Sequence, residues 1–410
     1  MSEPRKANVS VQYNGKNITT KLSEFMKSFS YTDAASGESD SISLNLLNID
    51  KRWLNQWYPE KGDNILAQII TKNWFAEGDS KTFKCGSFTI DDVSFEGRAL
   101  SGTIGALSIP VTESFKSTER TKTWNSITIK SIAAEIAKRA KISLSYEGSA
   151  IKIDTIEQSG QTDCEFLFRL CEAYGLAMKV YSNKIVIFDE SIYEKKASVA
   201  TVNEEDMLSW SYNTTLTKTY TGAELTYTDA TSGKDIVVKV GTGSRYLKVN
   251  ERAGNLKDAE LKALAKLNNA NKKMTTMQIT IIANPKIVAT SNIEVSGLGK
   301  LNGKYAVDKV NHSIGKGYTM QLELRRIQTR TSMPGDERKK VLSARTTQYT
   351  IKKGDTLWNI GSKYLGSGAR QMEIYELNKE IIEETAKERG RANSSNGYYV
   401  YPGTIITIPG

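Results

Sequence analysis

Apolar and polar positions alternate with a period of two from residue 7 to about residue 115. Val9 and Val11 alternate, and Tyr13-Asn14-Gly15-Lys16 opens a hairpin. Further alternating runs at 25–31, 41–47, 64–71, 83–93 and 98–105 are each bounded by Gly, Asp or Asn. Short strands so punctuated predict a barrel or sandwich. Residues 51–59 predict one short helix, with Pro59 after it and a Gly62-Asp63 turn into the next strand. From Trp124 the period becomes helical. Ile129, Ile132, Ala133, Ile136, Ala137 and Ala140 form one stripe. Strands at 143–146 and 151–156 follow. Thr162 and Glu165 form a capping box, opening a helix that carries Phe166, Leu167, Leu170, Cys171 and Tyr174 and ends at Gly175. Strands at 180–181 and 185–188 close a small α/β module.

Alternation returns over 201–330, interrupted by a helix with Leu256, Ala259, Ala263, Leu267 and Ala270 on one face. Its end, 293–326, reads as three strands joined by glycine turns at Gly297–Gly299, Asn302-Gly303 and Gly315–Gly317. Tyr305, Val307, Leu322 and Leu324 are its predicted core positions. The GLGKLNGK string within it fails as a nucleotide loop. A dinucleotide fingerprint needs glycine where Asn302 stands, and a phosphate loop needs Ser or Thr where Tyr305 follows Lys304. No helical pattern opens after it to meet a phosphate.

Between 329 and 347 apolar residues thin out around Pro334-Gly335, which predicts a linker. After it Tyr349 and Ile351 alternate, and Gly354-Asp355 turns the chain, with Asp355 the expected helix cap. Leu357, Ile360, Gly361 and Tyr364 stripe a first helix, and Met372, Ile374, Tyr375 and Leu377 a second. Tyr401-Pro402-Gly403 turns into a last strand, Ile405-Ile406-Thr407-Ile408.

The 410 residues suffice for several domains with full cores. No apolar run reaches membrane-spanning length, and the first residues lack a signal core, so cytoplasmic synthesis without general secretion is expected. Cys85, Cys164 and Cys171 have no disulfide or zinc spacing, and a metal site would need His312, the one histidine. Lys and Arg exceed Asp and Glu by 56 to 46. Clustered basic residues mark nucleic-acid binders, but here they are scattered, with short clusters such as Arg325-Arg326 and Arg338-Lys339-Lys340. Acidic protein partners account for the excess better than specific nucleic-acid binding.

The residues Gly297, Gly299, Gly303, Tyr305, Val307, Val310, His312, Gly317, Tyr318, Leu322, Leu324 and Arg325 form a run that resembles the late-control D family of phage tail hub proteins. The earlier strand, short helix and P-x-x-G-D turn, and the positions Asp163, Phe166, Leu167, Arg169 and Leu170, resemble that family too. The resemblance implies two barrels, each like a tail-tube subunit, separated by the small module. Three chains would then present six barrels to a six-fold tube. It further implies a baseplate hub in a virion or tailocin particle assembled in a bacterial cytoplasm. The implied partners are two further copies (a homotrimer), the tail tube protein, the central spike protein, the tape-measure protein and other baseplate proteins. No cofactor and no metal are implied.

The GDTLWNI and PGTxIxIP motifs in β-α-α-β order resemble a LysM domain. That resemblance implies an N-acetylglucosamine groove between two loops, matched here by Gly354, Asp355, Thr356 and Leu357, and by Tyr401, Pro402 and Gly403. Residues 379–400 are an insertion relative to the family, able to reshape or cover such a groove. Two roles stand for this tail: peptidoglycan contact, or a structural peg within the baseplate. LysM modules often accompany cell-wall hydrolases, so the alternative is a peptidoglycan-binding or cell-wall hydrolase-associated protein with unrelated β-domains. Glycan hydrolysis needs two positioned carboxylates. The acidic residues here fall in predicted turns (Asp91-Asp92, Glu204-Glu205-Asp206) or on predicted exposed helix faces (Glu383-Glu384), so a structural protein without enzymatic activity is expected.

The expected fold is therefore mainly β (α+β), in five segments. A first tube-like barrel spans 1–118, an α/β module 119–200 and a second barrel 201–328. A linker at 329–347 and a LysM domain at 348–410 follow.

Overall fold

The computed structural model describes residues 4–98, 100–108, 114–228, 233–332, 346–365 and 367–409. The chain divides into two compact units, Met1–Thr331 and Ser332–Gly410. Of the expected linker, residues 333–345 lie outside the described residues, as does the Arg338-Lys339-Lys340 cluster.

The first seven strands are β1 (Lys6–Tyr13), β2 (Lys16–Asn17), β3 (Met26–Ala34), β4 (Ser41–Leu47), β5 (Asn64–Lys72), β6 (Ser80–Glu96) and β7 (Ser101–Leu107). Those of the α/β module are β8 (Glu119–Thr128), β9 (Ser143–Glu147), β10 (Lys152–Thr162), β11 (Ala177–Tyr181) and β12 (Lys184–Phe188). Next come β13 (Ala200–Asn203), β14 (Met207–Thr214), β15 (Gly222–Thr228), β16 (Asp235–Gly241), β17 (Tyr246–Val249), β18 (Thr275–Ile282), β19 (Asn292–Ser296), β20 (Gly303–Ile314) and β21 (Tyr318–Arg326). The fold is mainly β, as the alternation predicts.

The two β-rich halves share one sheet of 13 strands, running β14-β18-β21-β20-β3-β4-β7-β6-β5-β1-β2, with β19 on β20 and β13 on β19. The join is the antiparallel pair β3–β20, in register Phe29 with Ile314, Tyr31 with His312 and Asp33 with Val310. A single apolar core follows from it, in which Val11, Leu44 and Ile65 from the first half cluster with Ile279, Val310 and Leu322 from the second. Tyr305, Val307, Leu322 and Leu324 are all buried, as expected.

The module carries its own core. Its first helix, Ile129–Ala140, buries all six residues of the predicted stripe, and the capping box at Thr162 forms in full. The helix Leu256–Asn271 differs from its predicted single face. Leu256 is exposed at the first turn, and Ala265 is buried instead. This helix faces two ways: Ala259, Ala263 and Leu267 pack on the three-stranded sheet β16-β15-β17, whereas Ala265 sits against Gly175. Asp91-Asp92, expected in a turn, lies within β6 beside a bulge that turns both side chains to solvent.

Two sets of buried charges bind the module to the sheet. Lys179 reaches both Asp33 and Asp40. On the other side the helix Glu190–Lys195 sends Glu190 and Glu194 to Lys272, Arg325 and Arg330, while the Arg325 Nε donates to Asp308 at 2.8 Å. Burial raises the Glu190 and Glu194 pKa values, but Lys272, Arg325 and Arg330 at Glu190, and Arg330 and Arg325 at Glu194, outweigh it and hold both below the ordinary range. At Asp308 burial wins over Arg325 and the pKa is raised.

His312 is fully buried, its Nδ1 2.8 Å from the Tyr318 hydroxyl and its Nε2 without a partner among the described residues. Burial pushes its pKa down to about 4, against a small upward pull from Asp33. Below about pH 6.5 the unfolded chain therefore takes up a proton that the folded chain refuses. Its contribution to stability is full above that pH and is lost as pH falls toward 4, on the order of 3 kcal/mol in all. Asp40, raised by burial, acts in the opposite sense on acidification. The measurement is thus a comparison: urea titrations of wild type and His312→Phe from pH 7 to pH 4. The gap between the curves should shift in favour of the variant as pH falls, and a constant gap would refute this.

Candidate functional site

The second unit brings together the two loops that the sequence singles out. Strands β22 (Thr346–Thr350) and β23 (Ile405–Pro409) pair antiparallel, Tyr349 opposite Ile406. Just past that ladder the Gly403 amide donates to the Ile351 carbonyl at 2.8 Å, and the Ile351 amide to the Thr404 carbonyl at 2.9 Å. The turn after β22 and the turn before β23 are thereby held side by side.

In the first turn the Asp355 carboxylate accepts from the Tyr349 hydroxyl at 2.7 Å and the Lys352 amide at 2.8 Å. The Lys352 amide contributes most to holding its pKa below the usual carboxylate range. Asp355 closes the turn but does not cap the helix, as had been expected. The residue before the helix Leu357–Leu365 is Thr356, whose Oγ1 accepts from the Asn359 amide at 3.1 Å. Serving two donors at the turn, Asp355 is one residue too early to reach that amide.

Gly354 and Gly403 hold φ of +92° and +93°, a region that favours glycine. A Cβ built on either meets nothing within 4 Å. Their glycine requirement is conformational, and the space above both is open. Thr356 and Pro402 are exposed beside them. Leu357 is buried in the unit's core with Ile360, Ile374 and Ile406. Tyr401 is half-buried, its hydroxyl accepting from the Arg391 Nε at 3.0 Å. Of the seven predicted groove residues, six border the two turns and Leu357 supports them from below. The second helix departs from its predicted stripe at Met372, which is exposed.

The insertion is part of the unit's fold. Its helix Lys379–Glu388 buries Ile382 and Ala386, a pair four residues apart that was the available sequence signal. Glu383, read from the sequence as solvated, is half-buried. It accepts from the Tyr375 hydroxyl at 2.8 Å and the Ser394 amide at 3.0 Å, because the returning chain folds over it. Asn378 clamps the module's second helix to β23, donating to the Ile374 and Thr407 carbonyls and accepting from the Thr407 amide, each at 2.7 Å. Gly397 sits so close to Leu357 that a Cβ there would lie 2.5 Å from Leu357 Cδ1. The insertion therefore roofs Leu357 and leaves Gly354 and Gly403 open. Among the described residues no group of three or more His, Cys, Asp or Glu is placed to hold a metal, and no helix is long and apolar enough to cross a membrane.

A LysM domain model matches residues 349–384. A probable baseplate hub protein of Escherichia phage 186 is 28% identical over 175 residues, 42% of this chain and 42% of its own length. The matched part is thus less than half of that relative. The tail protein of prophage MuSo2 from Shewanella oneidensis shares the fold with a TM-score of 0.62 at 13% identity, over 78% of this chain and 98% of its own. A tail protein from Neisseria meningitidis MC58 does so with a TM-score of 0.59 at 12% identity, over 78% and 96%. The relative matches the resemblance to phage tail hub proteins read from the sequence, the two solved structures share the fold, and the domain match agrees with the LysM reading of the last segment.

Proposed function

We propose that this chain is the structural hub of a contractile-tail baseplate, a homotrimer that joins the tail tube to the central spike. The observation that supports it most is that the chain combines sequence similarity to a baseplate hub protein with the fold of phage tail proteins. Two β-rich halves welded through β3–β20 into one sheet make a stiff subunit. Three copies present six such halves, which matches a six-fold tube. The tube, spike and tape-measure proteins are its partners in the particle, virion or tailocin, and the chain carries no catalytic role. Co-production with the spike protein followed by native mass measurement tests this. A complex with three copies of the chain is expected, and a chain that stays monomeric with and without the spike would overturn it.

The LysM unit, in this reading, contacts peptidoglycan through the two turns rather than acting only as a peg. What favours contact is the open space above Gly354 and Gly403.

A further inference from the structure

The insertion brings chemistry to the second turn that the seven groove positions do not supply. Arg391 lies over a tyrosine, its guanidinium carbon 3.5 Å from the centre of the Tyr399 ring. Its Nε is fixed by the Tyr401 hydroxyl at 3.0 Å. Arg389 stands over the Tyr401 ring, 5.8 Å from its centre. Both arginines are exposed, and among the described residues neither is in an ion pair with an acidic side chain.

These features together describe a poised cation. The ring contact and one hydrogen bond restrain the Arg391 side chain, so less side-chain entropy is lost on binding than for a free arginine. Among the described residues only Nε is engaged, which leaves the two terminal nitrogens as a fork suited to a carboxylate. Lys352 and Lys353 add positive charge from the first turn, directly after Ile351, whose backbone is bonded to Gly403 and Thr404. The one carboxylate of these turns, Asp355, is already occupied by Tyr349 and the Lys352 amide.

We propose that Arg391, assisted by Arg389, selects an amino-sugar chain that bears carboxylates on its sugars over a neutral one. The inference rests on the glycan-contact reading of the two turns. Each disaccharide repeat of a chain alternating N-acetylglucosamine and N-acetylmuramic acid carries one lactyl carboxylate wherever no peptide is attached to it. With the sugar in the turns, that group meets the guanidinium fork. Chitin oligomers fill the turns equally well but offer the fork only hydroxyls.

Titration calorimetry on the full-length chain with two probes tests this: chitotetraose, and the peptide-free tetrasaccharide of alternating N-acetylglucosamine and N-acetylmuramic acid. The carboxylate-bearing probe is expected to bind about tenfold tighter, the size of one charge-assisted contact. That advantage should disappear in the double variant Arg389→Ala/Arg391→Ala and shrink in high salt, with chitotetraose binding unchanged. An Arg391→Lys variant, which keeps the charge but loses the planar fork, should recover only part of it. Equal binding of the two probes by wild type, or an advantage that survives in the double variant, overturns the inference and leaves glycan contact standing. Binding of neither probe overturns glycan contact and the inference with it.

Discussion

Replacing Leu322 with aspartate is expected to abolish cooperative folding of the first unit at physiological temperature. Leu322 is fully buried on β21, opposite Ile279 on β18 and Val310 on β20, in the core shared by both halves. The substitution loses a leucine's packing, about 2–5 kcal/mol. It also strands a carboxylate, or the proton it must bind, among aliphatic carbons. The sum approaches the whole stability of an ordinary domain. Thermal unfolding followed by circular dichroism measures it, with Leu322→Met as the control expected to cost under about 1.5 kcal/mol. An aspartate variant that melts with wild type would show that this position does not face the core.

Arg325→Leu is expected to cost about 3–5 kcal/mol at pH 7, since it breaks a buried charge set by removing one member. Arg325 is held by Glu194 and Asp308, and Asp308 has no second ion pair among the described residues. Glu190 and Glu194 keep Arg330. The pH dependence has a definite sign. Glu190 and Glu194 have lowered pKa values in the fold, so their stabilisation is present above the ordinary glutamate range and is lost as pH falls through the folded values. Removing Arg325 weakens that stabilisation, so the variant's deficit should be largest near pH 7 and narrow on acidification. Urea titrations of both proteins at pH 7 and pH 4 decide this. A deficit that is small, or equal at the two pH values, would mean the charges are not coupled as described. Because this set ties the helix Glu190–Lys195 to β21, the same variant should also loosen the α/β module from the sheet.

Much of the local structure was legible in the chain. The stripe from Ile129 to Ala140 and the capping box at Thr162 declare their helices, because helical period and cap chemistry depend on residues three or four apart. The alternation in 318–326 declares a strand with a buried face for the same kind of reason. Where local reading erred, a neighbour distant in sequence was responsible. Ala265 is buried because Gly175 lies across from it, and Glu383 is sheltered because Ser394 returns over it.

The candidate site was legible in part. The glycines, Asp355 and the Tyr401-Pro402-Gly403 turn could be named from their motifs, and six of the seven residues do border the two turns. The capping role fell to Thr356 because Asp355 was already committed to the turn. Arg389 and Arg391 had no signal, since an arginine on a polar segment looks solvated until its aromatic platform is placed beside it.

The sequence by itself determined the helices and strands, the mainly β class, and the LysM segment at the end, all written in periods of two and three to four residues and in short turn motifs. Only the tertiary structure decided that the two β-rich halves form one sheet. The β3–β20 pair joins residues such as Thr32 and Asn311, 279 positions apart. Strand partners are selected by which edges meet once the chain has collapsed, and alternation marks a strand without naming its partner. The same holds for the buried charges. Glu190, Glu194, Arg325 and Arg330 read as ordinary surface residues until folding removes water and leaves them one another as partners.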